Sequence, residues 1–111
     1  GWGSFPRILG KFVRDEHLLT LEEAVRKMTS RPAARVGLAD RGILRAAMKA
    51  DITVFDPATI RDVATFEDPN HYSTGIRWVI VNGRAVVADG KITAARPGRP
   101  LRGPGYKPPA K

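Results

Sequence analysis

The side chains able to do chemistry are few: His17 and His71 are the only imidazoles, and there is no cysteine. A metal centre needs several His, Cys, Asp or Glu donors converging at fixed distances. Neither histidine lies in an HxH or HExxH spacing. His17 follows Asp15 and Glu16 just before a helix cap, and His71 sits in the turn-rich "EDPNHY", so both read as structural or solvated. The acid pairs Asp15/Glu16, Glu22/Glu23 and Glu67/Asp68 suit helix starts or wet surfaces better than acid–base work. Ser4, Ser30 and Ser73 have no neighbouring base and no nucleophile-elbow pattern. No phosphate-cradling glycine loop is present. Taken alone, these residues form no complete catalytic apparatus and no metal ligand set.

Elements must therefore be sought that serve something other than a self-contained site. With 111 residues the chain is one domain's worth of protein. Its apolar fraction of 42% permits a core, while nine prolines and eleven glycines imply much turn and coil. Lack of cysteine fits a reducing cytoplasm. No apolar run approaches the ~20 residues of a membrane helix, and the first residues lack a secretory pattern, which predicts a soluble, cytoplasmic chain. The net charge of +8 attracts polyanions, yet much of the excess lies in "RPGRPLRGPGYKPPAK". There five prolines forbid a regular helix, so the tail is expected to be extended or disordered. No zinc-finger spacing, RNP-type strand or supported GXXG loop points to nucleic acid.

Phe5, Ile8, Leu9 and Phe12 follow helical spacing after Ser4, a potential cap, with Gly10 as a local weakness costing ~1 kcal/mol relative to Ala. "LTLEEAVRKMTS" is more complete. Thr20 and Glu23 form a capping box, Leu19 and Ala24 a staple, and Glu22/Arg26 and Glu23/Lys27 are i,i+4 pairs in the favourable order. Leu21, Ala24, Val25 and Met28 make the buried stripe. A further short helix is expected from near Pro32 to Gly37, the two packing as a hairpin.

"DITVFDP" reads as a strand ended by Pro57, and Asn82-Gly83 and Asp89-Gly90 as tight hairpin turns. A two-residue turn at Asn82-Gly83 opposes Val81 to Arg84, Ile80 to Ala85, Val79 to Val86 and Trp78 to Val87. Both sheet faces are then apolar, and each needs a cover. The helical hairpin supplies one. The other is hard to find in this chain. "TIRDVATFEDPNHYSTG" has no clean period and is expected to wrap a surface or meet a neighbour.

"TSRPAARVGLADRGILRAAMKADITVFDP" resembles the C-terminal signature of the amidohydrolase superfamily. Within it, "GSFPRILGKFVRDEHLLTLEEAVRKMTS" and "VNGRAVVADGKITAARPGRPLRGPG" are similar to the N-acyl-D-amino-acid deacylase (D-aminoacylase) group. The resemblance runs from Gly3 to Gly105. It implies a metal-dependent TIM barrel with a small accessory β-domain, and zinc held in the full-length enzyme by barrel residues upstream of this chain. The chain itself would carry no cofactor. Its expected class is α+β: residues 1–38 as helices closing the barrel, 39–95 as strands and hairpins of the β-domain, 96–111 as a basic Pro/Gly-rich tail. Of the residues present, only those of the "GWGSFPR" loop are expected near substrate. There Trp2, Phe5 and Arg7 can line an acyl or carboxylate pocket, or simply anchor the loop. Two positions depart from the superfamily pattern. Arg31 replaces a frequent Asn, and Ala47 replaces a Gly, which puts a tight turn before the strand in question.

Two functions follow. One is the C-terminal part of a hydrolase acting on N-acyl-D-amino acids, inactive alone, whose partner is the remaining barrel or a second copy. The alternative is a free-standing basic module that binds an acidic protein or nucleic acid.

Overall fold

The computed structural model describes residues 4–63, 74–102, 105, 107 and 109. Along them run α1 (Ser4–Arg7), a π-helical segment (Ile8–Asp15), α2 (Leu21–Met28) and α3 (Ser30–Arg35). The strands β1 (Ile52–Phe55), β2 (Ile76–Val81), β3 (Arg84–Ala88) and β4 (Lys91–Ile92) follow. The class is α+β, as the sequence predicts.

The first helix departs from expectation. Ser4 lies inside its first turn, and from Ile8 onward the helix widens. The Glu16 amide closes it by donating to the carbonyl of Lys11, five residues back, at 2.9 Å. Wider turns break the stripe that 3.6-residue spacing implies. Leu9 and Gly10 are buried, Ile8 and Val13 flank the core, and Phe5 is left 64% exposed. Gly10 has a packing reason: a Cβ there would stand 2.5 Å from the Ile60 carbonyl oxygen.

In α2, Thr20 Oγ1 accepts from the Glu23 amide at 3.1 Å, so half of the capping box forms. Among the described residues neither the reciprocal bond nor the two i,i+4 ion pairs closes, and such surface pairs add little. Helix α3 starts at Ser30, which leaves Pro32 in its first turn. It ends in a Schellman motif: the Leu38 amide donates to Ala33 at 2.9 Å and the Gly37 amide to Ala34 at 3.1 Å, with Gly37 at φ 79°. The turn questioned at Ala47 is kept. The Met48 amide donates to Arg45 at 3.2 Å, and Ala47 adopts φ 69° at the position where glycine is easier.

The sheet is an antiparallel meander in the order β1-β2-β3-β4. Asn82 and Gly83 take φ 49° and 78°, Asp89 and Gly90 φ 49° and 82°, so both tight turns form as read. The β2–β3 register is corrected. Val81 faces Arg84 and Ile80 faces Ala85, but Val79 faces Val87 because an extra residue on β3, Val86, bulges out. The bulge moves Val87 from the face of Trp78 to that of Val79, where Ile92 joins it. A second bulge, at Arg77, aligns Ile76 with Phe55. One face thus carries Thr53, Phe55, Ile76, Val79 and Val87. The other carries Ile52, Val54, Trp78, Ile80 and Ala85.

The core is small. Among the described residues only Leu9, Ala24, Ala33 and Ile60 are buried hydrophobics, and Ile60, 2% exposed, is the one large side chain fully enclosed. It belongs to the segment in which the sequence shows no period. The Arg14 guanidinium donates to the Ile60 carbonyl at 2.6 Å, and a Cβ on Gly75 would lie 2.4 Å from the Ile60 Cα. Phe55 and Ile76 pack onto the same cluster, so helices and sheet meet here. Asp56 shapes the approach, its carboxylate accepting from the Ala58 amide at 2.8 Å. The radius of gyration, 15.9 Å, exceeds the roughly 13 Å of a compact chain of this length.

Candidate functional site

Beside Ile60 the helices and sheet part into an open groove of about 660 Å³, lined by Phe5, Leu9, Met28, Leu44, Phe55 and Val79 among others. Bulged registers aim Phe55, Ile76 and Val79 toward it. Leu44, 76% exposed, stands at its margin, and on the opposite face Trp78 is 39% exposed. Both sheet faces are apolar, as expected, and neither is fully covered by the described residues.

Asp51, which lines the groove, belongs to a polar clasp. Arg41 pairs with Asp51 through Nη1 and donates through Nη2 to Asn82 Oδ1 at 2.7 Å. The Asn82 amide donates to Asp51 Oδ1 at 2.8 Å, and Asn82 Nδ2 donates to the carbonyl of Pro97 at 2.8 Å. Burial alone pulls the Asp51 carboxyl upward, but the Asn82 amide and the hydrogen bond and charge of Arg41 outweigh it and hold the group below its ordinary value. The clasp joins the α3–β1 connection, the β2–β3 turn and the start of the tail. Pro97 is buried and Thr93 Oγ1 donates to Ala85 at 2.7 Å, so this stretch is extended and pinned. The clasp escaped sequence reading because Arg41, Asp51 and Asn82 are joined only by tertiary approach.

The residues expected near substrate divide. Arg7 pairs with Asp62 at 2.9 Å, and the Asp62 side chain is only 4% exposed, an anchoring arrangement. Phe5 borders the groove. Trp2 lies outside the described residues, as do His71, Glu67, Asp68 and Ser73. His17 is exposed, in a left-handed turn at φ 54°. Asp15 pairs with Arg14 at 3.0 Å. Among the described residues no group of three or more His, Cys, Asp or Glu side chains is placed to hold a metal ion, and no helix is long and apolar enough to cross a membrane.

A helical hairpin thus meets a meander along an apolar seam, with an apolar groove left open beside it. The amidohydrolase family model matches residues 2–87, and the chain belongs to the amidohydrolase family. It is similar to D-aminoacylase of Alcaligenes xylosoxydans xylosoxydans, 52% identical over 90% of this chain and 21% of that protein. A crystal structure of D-aminoacylase superposes at TM-score 0.85 with 51% identity, covering 88% of this chain and 21% of that one. N-acyl-D-glutamate deacylase from Bordetella bronchiseptica superposes at TM-score 0.76 with 48% identity, covering 82% of this chain and 20% of that one. The chain therefore spans about a fifth of the length of the relatives it matches. The family match leaves the free-standing basic module without support.

Proposed function

We propose that this chain serves as the closing section of a metal-dependent N-acyl-D-amino-acid deacylase, its helices completing a TIM barrel and its strands an accessory β-domain. The observation that carries the reading is the uncovered apolar groove in a chain half identical to one fifth of such enzymes. In this reading residues 1–38 belong to the barrel, 39–95 to the β-domain and 96–111 to the tail. The groove receives the remainder of the hydrolase, and a second copy occupies it when that remainder is missing.

The related N-acyl-D-glutamate deacylase structure holds zinc and a phosphonate inhibitor that mimics the tetrahedral intermediate. The described residues do not fit such a metal, lacking both a convergent donor set and any cysteine. Zinc in the complete enzyme would be held by donors outside them. The chain's own contribution is positional. Arg7, fixed by Asp62, holds the loop, while Trp2 and Phe5 offer apolar surface to an acyl chain. Identity to a D-aminoacylase and to an N-acyl-D-glutamate deacylase is equal, so this section does not distinguish their amino-acid preferences.

The test replaces the matching fifth of the Alcaligenes D-aminoacylase with this chain. The chimera is expected to release D-amino acid from N-acetyl-D-methionine in the presence of zinc. The isolated chain is expected to release none and to sediment as concentration-dependent oligomers. A folded chimera without turnover, or turnover by the isolated chain, would refute the reading.

A further inference from the structure

A second hollow, of about 460 Å³, lies on the other side of the clasp, between the α3–β1 connection, the β2–β3 turn and the stretch from Pro97 to Arg99. Arg41, Lys49, Arg84 and Arg99 line it, and no acidic residue does. Asp51 neutralises Arg41 but lines the apolar groove instead. The side chains of Lys49 and Arg84 make no hydrogen bond or ion pair among the described residues. Arg99 uses one nitrogen, donating to the carbonyls of Gly98 at 2.9 Å and Pro97 at 3.4 Å. Three exposed cations from three separate segments thus border one concavity that no carboxylate lines.

The hollow is also held in shape. Asn82 ties the turn to Asp51 and to the buried Pro97, and the Gly83 amide donates to Ala50 at 2.9 Å. The segments carrying Lys49, Arg84 and Arg99 are therefore positioned before any ligand arrives, which lowers the ordering cost of binding. Guanidinium forks match the geometry of phosphate oxygens, and an ammonium adds a compact charge.

We propose that the Lys49, Arg84 and Arg99 side chains form a binding site for a compact oxyanion of two or more negative charges, of the phosphate or polyphosphate class. The site stands apart from the deacylase chemistry and does not depend on it.

Pyrophosphate, titrated calorimetrically into the chain at an ionic strength fixed with sodium chloride, is expected to saturate one site. The double variant K49A/R84A should weaken it at least about tenfold, as loss of two charge-assisted contacts implies. The variant R26A/K27A, which removes the same charge from the exposed face of α2, should leave it unchanged. Far-UV circular dichroism monitors folding, and R84Q alone takes the place of the double variant if that does not fold. Duplex DNA at equal phosphate concentration separates free from polymeric phosphate. Equal weakening in both double variants, no saturable binding of pyrophosphate at that ionic strength, or tighter binding to DNA that K49A/R84A leaves intact would each overturn the proposal.

Discussion

The seam around Ile60 and the clasp around Asp51 both tie distant segments together, but by opposite means. The seam is built from close backbone approach: Gly10 on one side and Gly75 on the other let the Ile60 main chain come within distances that a Cβ would forbid. The clasp is built from charge and directed hydrogen bonds between Arg41, Asp51 and Asn82. Steric closeness has no titrating group and tolerates no added atom. Charge-assisted contacts tolerate small shifts but respond to proton concentration. One chain therefore holds one joint that volume breaks and one that acid breaks.

The largest effect belongs to the seam. Gly75→Ala places a methyl group 2.4 Å from the Ile60 Cα at a residue whose φ is +87°, so it combines overpacking with left-handed strain. Together these cost about 3 kcal/mol. Gly10→Ala, which meets the Ile60 carbonyl at 2.5 Å, falls in the same direction. Urea unfolding curves measure both. A midpoint unchanged by either substitution would remove close approach as the principle of this joint.

The clasp comes next. Asp51→Ala strips the partner from the largely buried Arg41 and from the Asn82 amide, costing about 2 kcal/mol. It also has a pH signature that the seam variants lack. The folded-state pKa of Asp51 lies below the ordinary value of 3.8, so in acid the unfolded chain takes up the proton more readily than the folded one. The carboxylate's contribution is complete above pH 3.8 and is lost as the pH falls through the depressed folded value. Urea midpoints measured downward from pH 6 should fall for the native chain and for Gly10→Ala alike, and fall less for Asp51→Asn. Equal acid sensitivity in all three would separate the clasp from the carboxylate assigned to it.

The same contrast explains what the sequence made legible. Local signals read well: the Thr20 cap, the Gly37 stop and the Asn82-Gly83 and Asp89-Gly90 turns depend on residues within a few positions of each other, and each forms. Signals that needed a constant period failed where the backbone left it. The π-helical widening set Val13 rather than Phe12 against the core, Phe5 ahead of it borders the open groove, and the bulges at Val86 and Arg77 altered which side chains share a face. Ile60, the centre of the core, sits in a segment without periodicity: it is buried against Leu9 and Ala24, far away in sequence, and two glycines, one 50 residues before it and the other 15 after it, let the chain approach its backbone. The site followed the same rule. Absence of a local donor pattern was readable from the sequence, whereas the groove and the clasp exist only once the bulged sheet meets the helices.

Ala47 gives the smallest effect and the sharpest check on how far local backbone preference matters outside both joints. It holds φ 69° in an exposed turn between Arg45 and Met48, a conformation that brings an alanine Cβ too near the following carbonyl. Glycine has no such contact, and removing it is worth about 1 kcal/mol, offset in part by the greater freedom glycine gives the unfolded chain. Ala47→Gly should therefore raise the urea midpoint slightly without altering the slope or the acid sensitivity. The turn lies on the path from Arg41 to Asp51, so a variant that also shifted the pH response would show that strain at Ala47 is transmitted into the clasp. A fall in stability would mean that restriction of the unfolded chain by alanine outweighs the folded-state strain at this position.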